Sequence, residues 1–272
     1  MPAPPQIVGI LNATPDSFSD GGCFGEPDRA VAHGLDMWRA GAAWIDVGGE
    51  STRPGAAALD EADELARVLP VIKALVAEGV AVSIDTRKAR VAAAAVQAGA
   101  LMINDVSGGR FDPAILSVAS AAEVFYVAMH MRGTPSDMQS LAKYDDVVAE
   151  VIDELGASLE AARAAGIEAD KLIADPGFGF AKTAEQSIEL FQRLAELRAL
   201  DVPLFVGVSR KSMLGRLTGE DQPKERLGAS VAAMLLAAQS GAAYLRVHDV
   251  KQSVAALTVH AALSARPLAR NS

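Results

Sequence analysis

Eight times along this chain a short apolar run rich in β-branched residues ends in polar residues that a strand interior would not carry. The runs are IVGILNAT, AAWIDVGGEST, VAVSIDT, ALMINDVSGG, VFYVAMHM, LIADPGFGF, PLFVGVSRKS and AYLRVHD. Near-continuous apolar stretches of this length fit strands buried on both faces. Ala- and Leu-rich segments with helical spacing separate them. The clearest covers 144–165, where Val147, Val148, Val151, Ile152, Leu155 and Leu159 fall on one stripe. A helix is predicted there, with Asp145 and Asp146 complementing the dipole at its start and Gly166 closing it. The acidic positions opposite the stripe read as a solvated face. The segment 183–199 carries the same signal. Strand and helix alternating eight times predict a (β/α)8 barrel.

In such a barrel the C-terminal strand ends converge on one mouth, where the chemistry resides. Asn12, Glu50, Thr52, Asp85, Asn104, His130, Asp175, Lys211, Arg246 and His248 are therefore expected as neighbours, although the sequence scatters them. At 272 residues the chain exceeds an average domain, but α/β barrels commonly run to about 250 residues as one unit. A single domain spanning 1–272 is predicted, with its core over about 7–264. No repeat of constant period, charge block or linker interrupts it.

Composition narrows the function classes. A net charge of -9 argues against a nucleic-acid scaffold, which needs a basic surface to neutralise phosphates. The apolar runs are too short and too interrupted for a membrane span. The start, MPAPPQIVGI, lacks the basic n-region of a secretory signal. The single cysteine, Cys23, has no partner for a disulfide and no ligand cluster around it. A reducing, cytoplasmic setting is the expectation.

Three features point to an anionic ligand. Ser209-Arg210-Lys211-Ser212 follows the seventh run, where many α/β barrels bind phosphate; a solvated basic turn is the plainer alternative. Arg246 and His248 are two apart in the eighth run and so share a strand face, a guanidinium beside an imidazole being suited to a diphosphate. Asn12 ends the first run with a neutral oxygen able to ligate a hard cation such as Mg²⁺. Asp85, Asp175 and Asn104-Asp105 end buried runs, and each carboxylate there needs donors. An amino-pyrimidinone edge supplies two N–H groups side by side, which fits a pterin or purine-like base; capping a helix or pairing with an arginine would satisfy them too. In Asp175-Pro176-Gly177-Phe178-Gly179-Phe180 two glycines let backbone approach a flat ligand, and two aromatics could stack on it or simply join the core.

Seven segments are specific enough to carry a resemblance. They are Asn12-Ala13-Thr14-Pro15-Asp16-Ser17-Phe18-Ser19-Asp20-Gly21-Gly22, Asp46-Val47-Gly48-Gly49-Glu50-Ser51-Thr52-Arg53-Pro54-Gly55, Ser83-Ile84-Asp85-Thr86, Asn104-Asp105-Val106, the Asp175–Phe180 segment, Ser209–Ser212 and Arg246-Val247-His248-Asp249. In this order they resemble the bacterial dihydropteroate synthases, and the likeness runs from about residue 7 to 258. It implies a transferase of folate synthesis, a target of sulfonamides. Such an enzyme joins 6-hydroxymethyl-7,8-dihydropterin diphosphate to 4-aminobenzoate by a Mg²⁺-assisted dissociative substitution.

The same resemblance distributes roles. Asp85, Asn104, Asp175 and Lys211 would hold the pterin edge, with Met129, Phe180 and Arg246 on its faces. Asn12, Arg246 and His248 would hold the diphosphate and Mg²⁺. Phe18, Thr52, Pro54, Phe180, Lys211 and Ser212 would form the aminobenzoate site. Asp20 and Arg53 would help two loops close, and join Asp85, Lys211, Arg246 and His248 as the catalytic set. A homodimer is implied as well, for which the helices at 225–240 and 250–264 could supply the interface. Two other readings stay open: a pterin-binding methyltransferase barrel, which would not need the basic segments or the 12–22 loop, and a pterin-binding homologue without turnover.

Overall fold

The computed structural model describes residues 4–14, 26–51 and 59–264. Eight parallel strands close on themselves in sequence order: β1 (Gln6–Asn12), β2 (Trp44–Gly48), β3 (Val82–Asp85), β4 (Met102–Asp105), β5 (Phe125–Met129), β6 (Leu172–Asp175), β7 (Leu204–Val206) and β8 (Ala242–Val247). Around them lie α1 (Glu26–Arg39), α2 (Glu61–Ala77), α3 (Ala89–Gln97), α4 (Ala114–Ala122), α5 (Val147–Ala164), α6 (Ala184–Gln192), α7 (Ser212–Thr218), α8 (Leu227–Gln239) and α9 (Val250–Ser264). The predicted barrel is present. The strict one-to-one alternation is broken once, because β7 is followed by two helices, α7 and α8, before β8.

The helix predicted over 144–165 begins three residues late. Asp146 is its N-cap, its carboxylate accepting from the Val148 and Ala149 N–H groups, which holds its own backbone extended. Tyr144 stays outside and donates its hydroxyl to the Ala181 carbonyl. Gly166, at φ 92°, follows the helix end as expected. The segment 183–199 is not one helix: α6 starts on a reciprocal capping box between Thr183 and Gln186, stops after Gln192, and tighter 3₁₀ turns run over Leu194–Leu200.

Strand parity decides what the barrel encloses. Val8, Trp44, Met102, Val127, Ile173, Phe205 and Tyr244 form a buried cluster separate from the large core between sheet and helices. Side chains alternate between faces, so the next inward position is two residues on. Along β2, β4, β5, β6 and β8 that step gives Asp46, Asn104, Met129, Asp175 and Arg246, and just past β7 it gives Gly207. The apolar plug thus carries a polar layer on its mouth side, joined by Asp85 at the end of β3.

Candidate active site

Arg246 organises that layer. Its Nε lies 2.7 Å from Asp46 Oδ2 and its Nη2 2.7 Å from Asp85 Oδ2. Burial works against the guanidinium charge, but Asp46 and Asp85 outweigh it and raise its pKa. Asn104 donates from Nδ2 to the same Asp46 oxygen at 3.0 Å. Asp46 Oδ1 and Asn104 Oδ1, both buried, have no hydrogen-bond partner among the described residues, an expensive arrangement unless a ligand or solvent supplies donors.

Asp85, Asn104, Met129, Asp175, Phe180, Lys211 and Arg246 line one pocket, together with Val106, Gly177, Phe178 and Gly207. These seven candidates come from six different strands or the loops after them, and strand parity brings them together. Burial raises the Asp85 pKa to about 7, against the pull of Arg246 and with the help of the Asp46 charge. Asp175 is likewise raised to about 6 by burial, although the Gly177 N–H donates to its Oδ1 at 2.7 Å and Lys211 and Arg246 oppose the shift. Lys211 moves the other way, down to about 8, through burial and the neighbouring Arg246. Its Nζ stands 4.3 Å from the centroid of the Phe180 ring, a cation–π contact.

Several expectations need correction. His130 does not reach the mouth. Met129 takes the inward position, so His130 faces outward and is fully buried between Lys182 and Glu154. The Glu50 carboxylate is engaged by Arg87, Lys88 and the Leu59 N–H, with its pKa lowered although burial opposes it. Of the two cations in Ser209–Ser212 only Lys211 faces the pocket. Arg210, held at φ 61°, makes a two-point ion pair with Asp249, 2.6 and 3.2 Å. Phe178 belongs to the core, with its centroid 5.7 Å from that of Phe191, and touches the pocket only as lining. Asp105 is structural: it accepts from Ser107, Gly109 and Tyr126.

Asn12 ends β1 on the inward parity of Val8 and Ile10 and is partly exposed. His248 follows β8, with its Nδ1 3.0 Å from Ser209 Oγ. Ser212 is exposed at the first position of α7. Phe18, Asp20, Thr52, Arg53 and Pro54 lie outside the described residues. Sequence reasoning gave no role to Asp46, the residue that orients Arg246 and Asn104. The available signal was a carboxylate two residues beyond Trp44, on the same face of a buried strand.

The family model described as "Pterin binding enzyme" matches residues 8–248, from β1 to just past β8, and that match makes this barrel a pterin-binding enzyme. The dihydropteroate synthase of Mycobacterium leprae is 50% identical over 263 residues, covering 94% of this chain and 93% of that protein. The Xanthomonas albilineans dihydropteroate synthase, solved with 4-aminobenzoic acid, superposes with a TM-score of 0.92 at 49% identity, covering 97% of this chain and 94% of that one. The Yersinia pestis enzyme in a sulfonamide drug complex gives 0.89 at 45% identity, covering 96% and 94%. The chain belongs to the dihydropteroate synthase family, whose members are transferases. That membership sets aside the methyltransferase reading.

Proposed function

We propose that the pocket takes the pterin ring of 6-hydroxymethyl-7,8-dihydropterin diphosphate and passes its methylene carbon to the amine of 4-aminobenzoate. The observation that carries this is the joint placement of Asp175, Asn104 and the Asp85–Arg246 pair around one pocket at the barrel mouth. The Asp175 carboxylate and Asn104 Oδ1 offer acceptors to the amino-pyrimidinone edge, and Phe180 and Met129 offer surfaces to the ring. The methylene C–O bond breaks with its electron pair leaving on the diphosphate. The arylamine nitrogen then supplies a pair to the resulting cation and loses a proton. Ionised Asp85 stabilises the cation, and Arg246 and Lys211 attract the departing anion.

Mg²⁺ fits this donor set as a companion of the substrate. The described residues hold no group of three or more His, Cys, Asp or Glu side chains that could bind a metal by themselves. Mg²⁺ commonly sits on one or two protein oxygens plus substrate phosphates. Asn12 would hold the ion, Asn12, Arg246 and His248 would hold the diphosphate, and the ion would neutralise charge building on it. The aminobenzoate is assigned to Lys211, Ser212 and Phe180 with Phe18, Thr52 and Pro54, Asp20 and Arg53 assisting; the ligands named for the Xanthomonas and Yersinia enzymes support aminobenzoate as the substrate and suggest sulfonamides as its competitors.

The reaction is assigned to the cytoplasm, supported by the single cysteine. No described helix is long and apolar enough to cross a membrane. A homodimer through α8 and α9 is supported by a groove of about 520 Å³ lined by Leu235, Val259 and Leu263 among others, with Leu263 81% exposed; sedimentation velocity tests it. Diphosphate release that requires both organic substrates and falls on removing Mg²⁺ is the expected assay result. Release that proceeds equally without aminobenzoate would identify a hydrolase instead.

A further inference from the structure

Lys182 is buried, 2% exposed, behind the Gly177–Phe180 turn that forms one wall of the pocket. Its Nζ lies 2.8 Å from His130 Nδ1, 3.1 Å from the Gly177 carbonyl and 3.1 Å from the Phe180 carbonyl. Three acceptors match the three protons of an ammonium group. Burial draws the Lys182 pKa down to about 7, while the charges of Asp175 and Glu154 work to keep the proton.

Burial and the Lys182 charge also push His130 down to about 3, so its ring is neutral. With Nδ1 accepting from Lys182, the ring proton sits on Nε2 and is donated to Glu154 at 3.1 Å. Glu154 belongs to α5 and is held in turn by Arg132 and Arg110. The turn itself has little intrinsic preference. Gly177 and Gly179 sit at φ 67° and 78°, and glycine visits such angles as readily as others. The contacts of Gln139 and Ser187 reach only Gly179, whose carbonyl accepts from the Gln139 amide at an exposed position and whose N–H donates to the buried Ser187 hydroxyl.

The geometry points to Lys182 as a positioning residue for the pterin subsite. Its ammonium fixes the turn that carries Phe180 and presents the Gly177 N–H to Asp175, and His130 ties that turn to α5. This rests on the reading that the pocket takes a pterin.

Lys182→Met keeps the stem and removes the donors. Calorimetry with 6-hydroxymethylpterin should show its Kd raised at least tenfold, with KM for the pterin diphosphate following and kcat at saturation changed less than threefold. Amides 177–181 should exchange faster while the rest of the barrel keeps its protection. His130→Asn places an acceptor where Nδ1 stood and should stay within threefold of the native Kd; His130→Leu should lose at least fivefold. That pair decides the matter if Lys182→Met does not fold. A Lys182→Met Kd within twofold of native, or equal Kd values for the two His130 variants, would overturn the assignment. Asp175→Asn, run alongside, separates the two ideas: unchanged pterin affinity there would mean that the base is not held by Asp175 in this pocket, and the exchange of amides 177–181 would still decide the anchor.

Discussion

Asp85 and Arg246 meet across the barrel mouth, 2.7 Å between Oδ2 and Nη2, joining the end of β3 to β8. Neither side chain reaches this position from a neighbouring strand, since β1 and β2 lie between them in the sheet. The pair therefore exists only because the sheet closes. It also leaves Asp85 with a pKa near 7 in spite of the cation beside it, because burial outweighs the attraction.

Turnover should consequently rise with pH through an inflection near 7 as Asp85 ionises. Asp85→Asn is expected to lower kcat about 100-fold and to remove that inflection. Stability carries the opposite sign. The folded pKa lies above the unfolded value, so between about pH 4 and 7 the folded chain binds more protons than the unfolded one, and stability contributed by this group declines as pH rises through that window. Calorimetric melting of native and Asp85→Asn protein at pH 5 and pH 8 should show a smaller pH difference in the variant; an equal difference would mean that Asp85 does not titrate there.

Asp175→Asn preserves shape but turns one acceptor oxygen into a donor facing the base's own N–H groups. A mismatch of this kind in a buried site should weaken pterin binding by about 2–4 kcal/mol, with aminobenzoate binding much less affected. In the native protein pterin affinity should fall as pH drops through about 6, where Asp175 takes up a proton. Titration calorimetry at pH 5 and 8 on both proteins checks both statements, and a variant that binds pterin normally would remove Asp175 from base recognition.

Gly177→Ala should be poorly tolerated. Gly177 sits at φ 67°, and a Cβ there would overlap the His130 carbonyl oxygen, a backbone atom with little room to yield. A loss of more than about 2 kcal/mol in stability is expected, accompanied by weaker pterin binding. Denaturant unfolding measures it; a variant of native midpoint and native affinity would show that the turn can relax without cost.

Lys88 donates to Glu64 at 2.5 Å, to Glu50 at 3.0 Å and to the Leu59 carbonyl at 2.8 Å, and Glu64 is wholly buried. Lys88→Met leaves two carboxylates without their shared cation. Breaking a buried pair from one side typically costs about 3–5 kcal/mol. Chemical unfolding should show a loss of that order; a change under about 1 kcal/mol would mean that Arg87 and Thr86 suffice to hold both carboxylates.

Much of the architecture and most of the pocket could be read from the chain. Eight apolar runs ending in polar residues specify buried parallel strands, and the convergence of their ends places Asp85, Asn104, Asp175, Lys211 and Arg246 together before any coordinate is known. The reading failed wherever one residue of phase mattered. His130 follows Met129 directly, and a single step along a strand reverses the face, so two adjacent candidates end on opposite sides of the sheet. Arg210 and Lys211 are adjacent cations as well, yet a left-handed backbone at Arg210 turns its guanidinium to Asp249 and leaves only Lys211 for the pocket.

Hydrophobic pattern and strand-end chemistry are local properties, and local order along the chain is enough to fix strand, helix and the mouth to which each strand end contributes. Pairing between residues far apart is not local. Arg246 and Asp46 are 200 positions apart, and nothing near either announces the other. Barrel closure brings them within hydrogen-bond distance, burying Asp46 completely and Arg246 in large part. The same closure raises the carboxylate pKa values and creates the Lys182–His130–Glu154 chain behind the pocket, because desolvation depends on what surrounds a side chain in space and not on what precedes it in sequence.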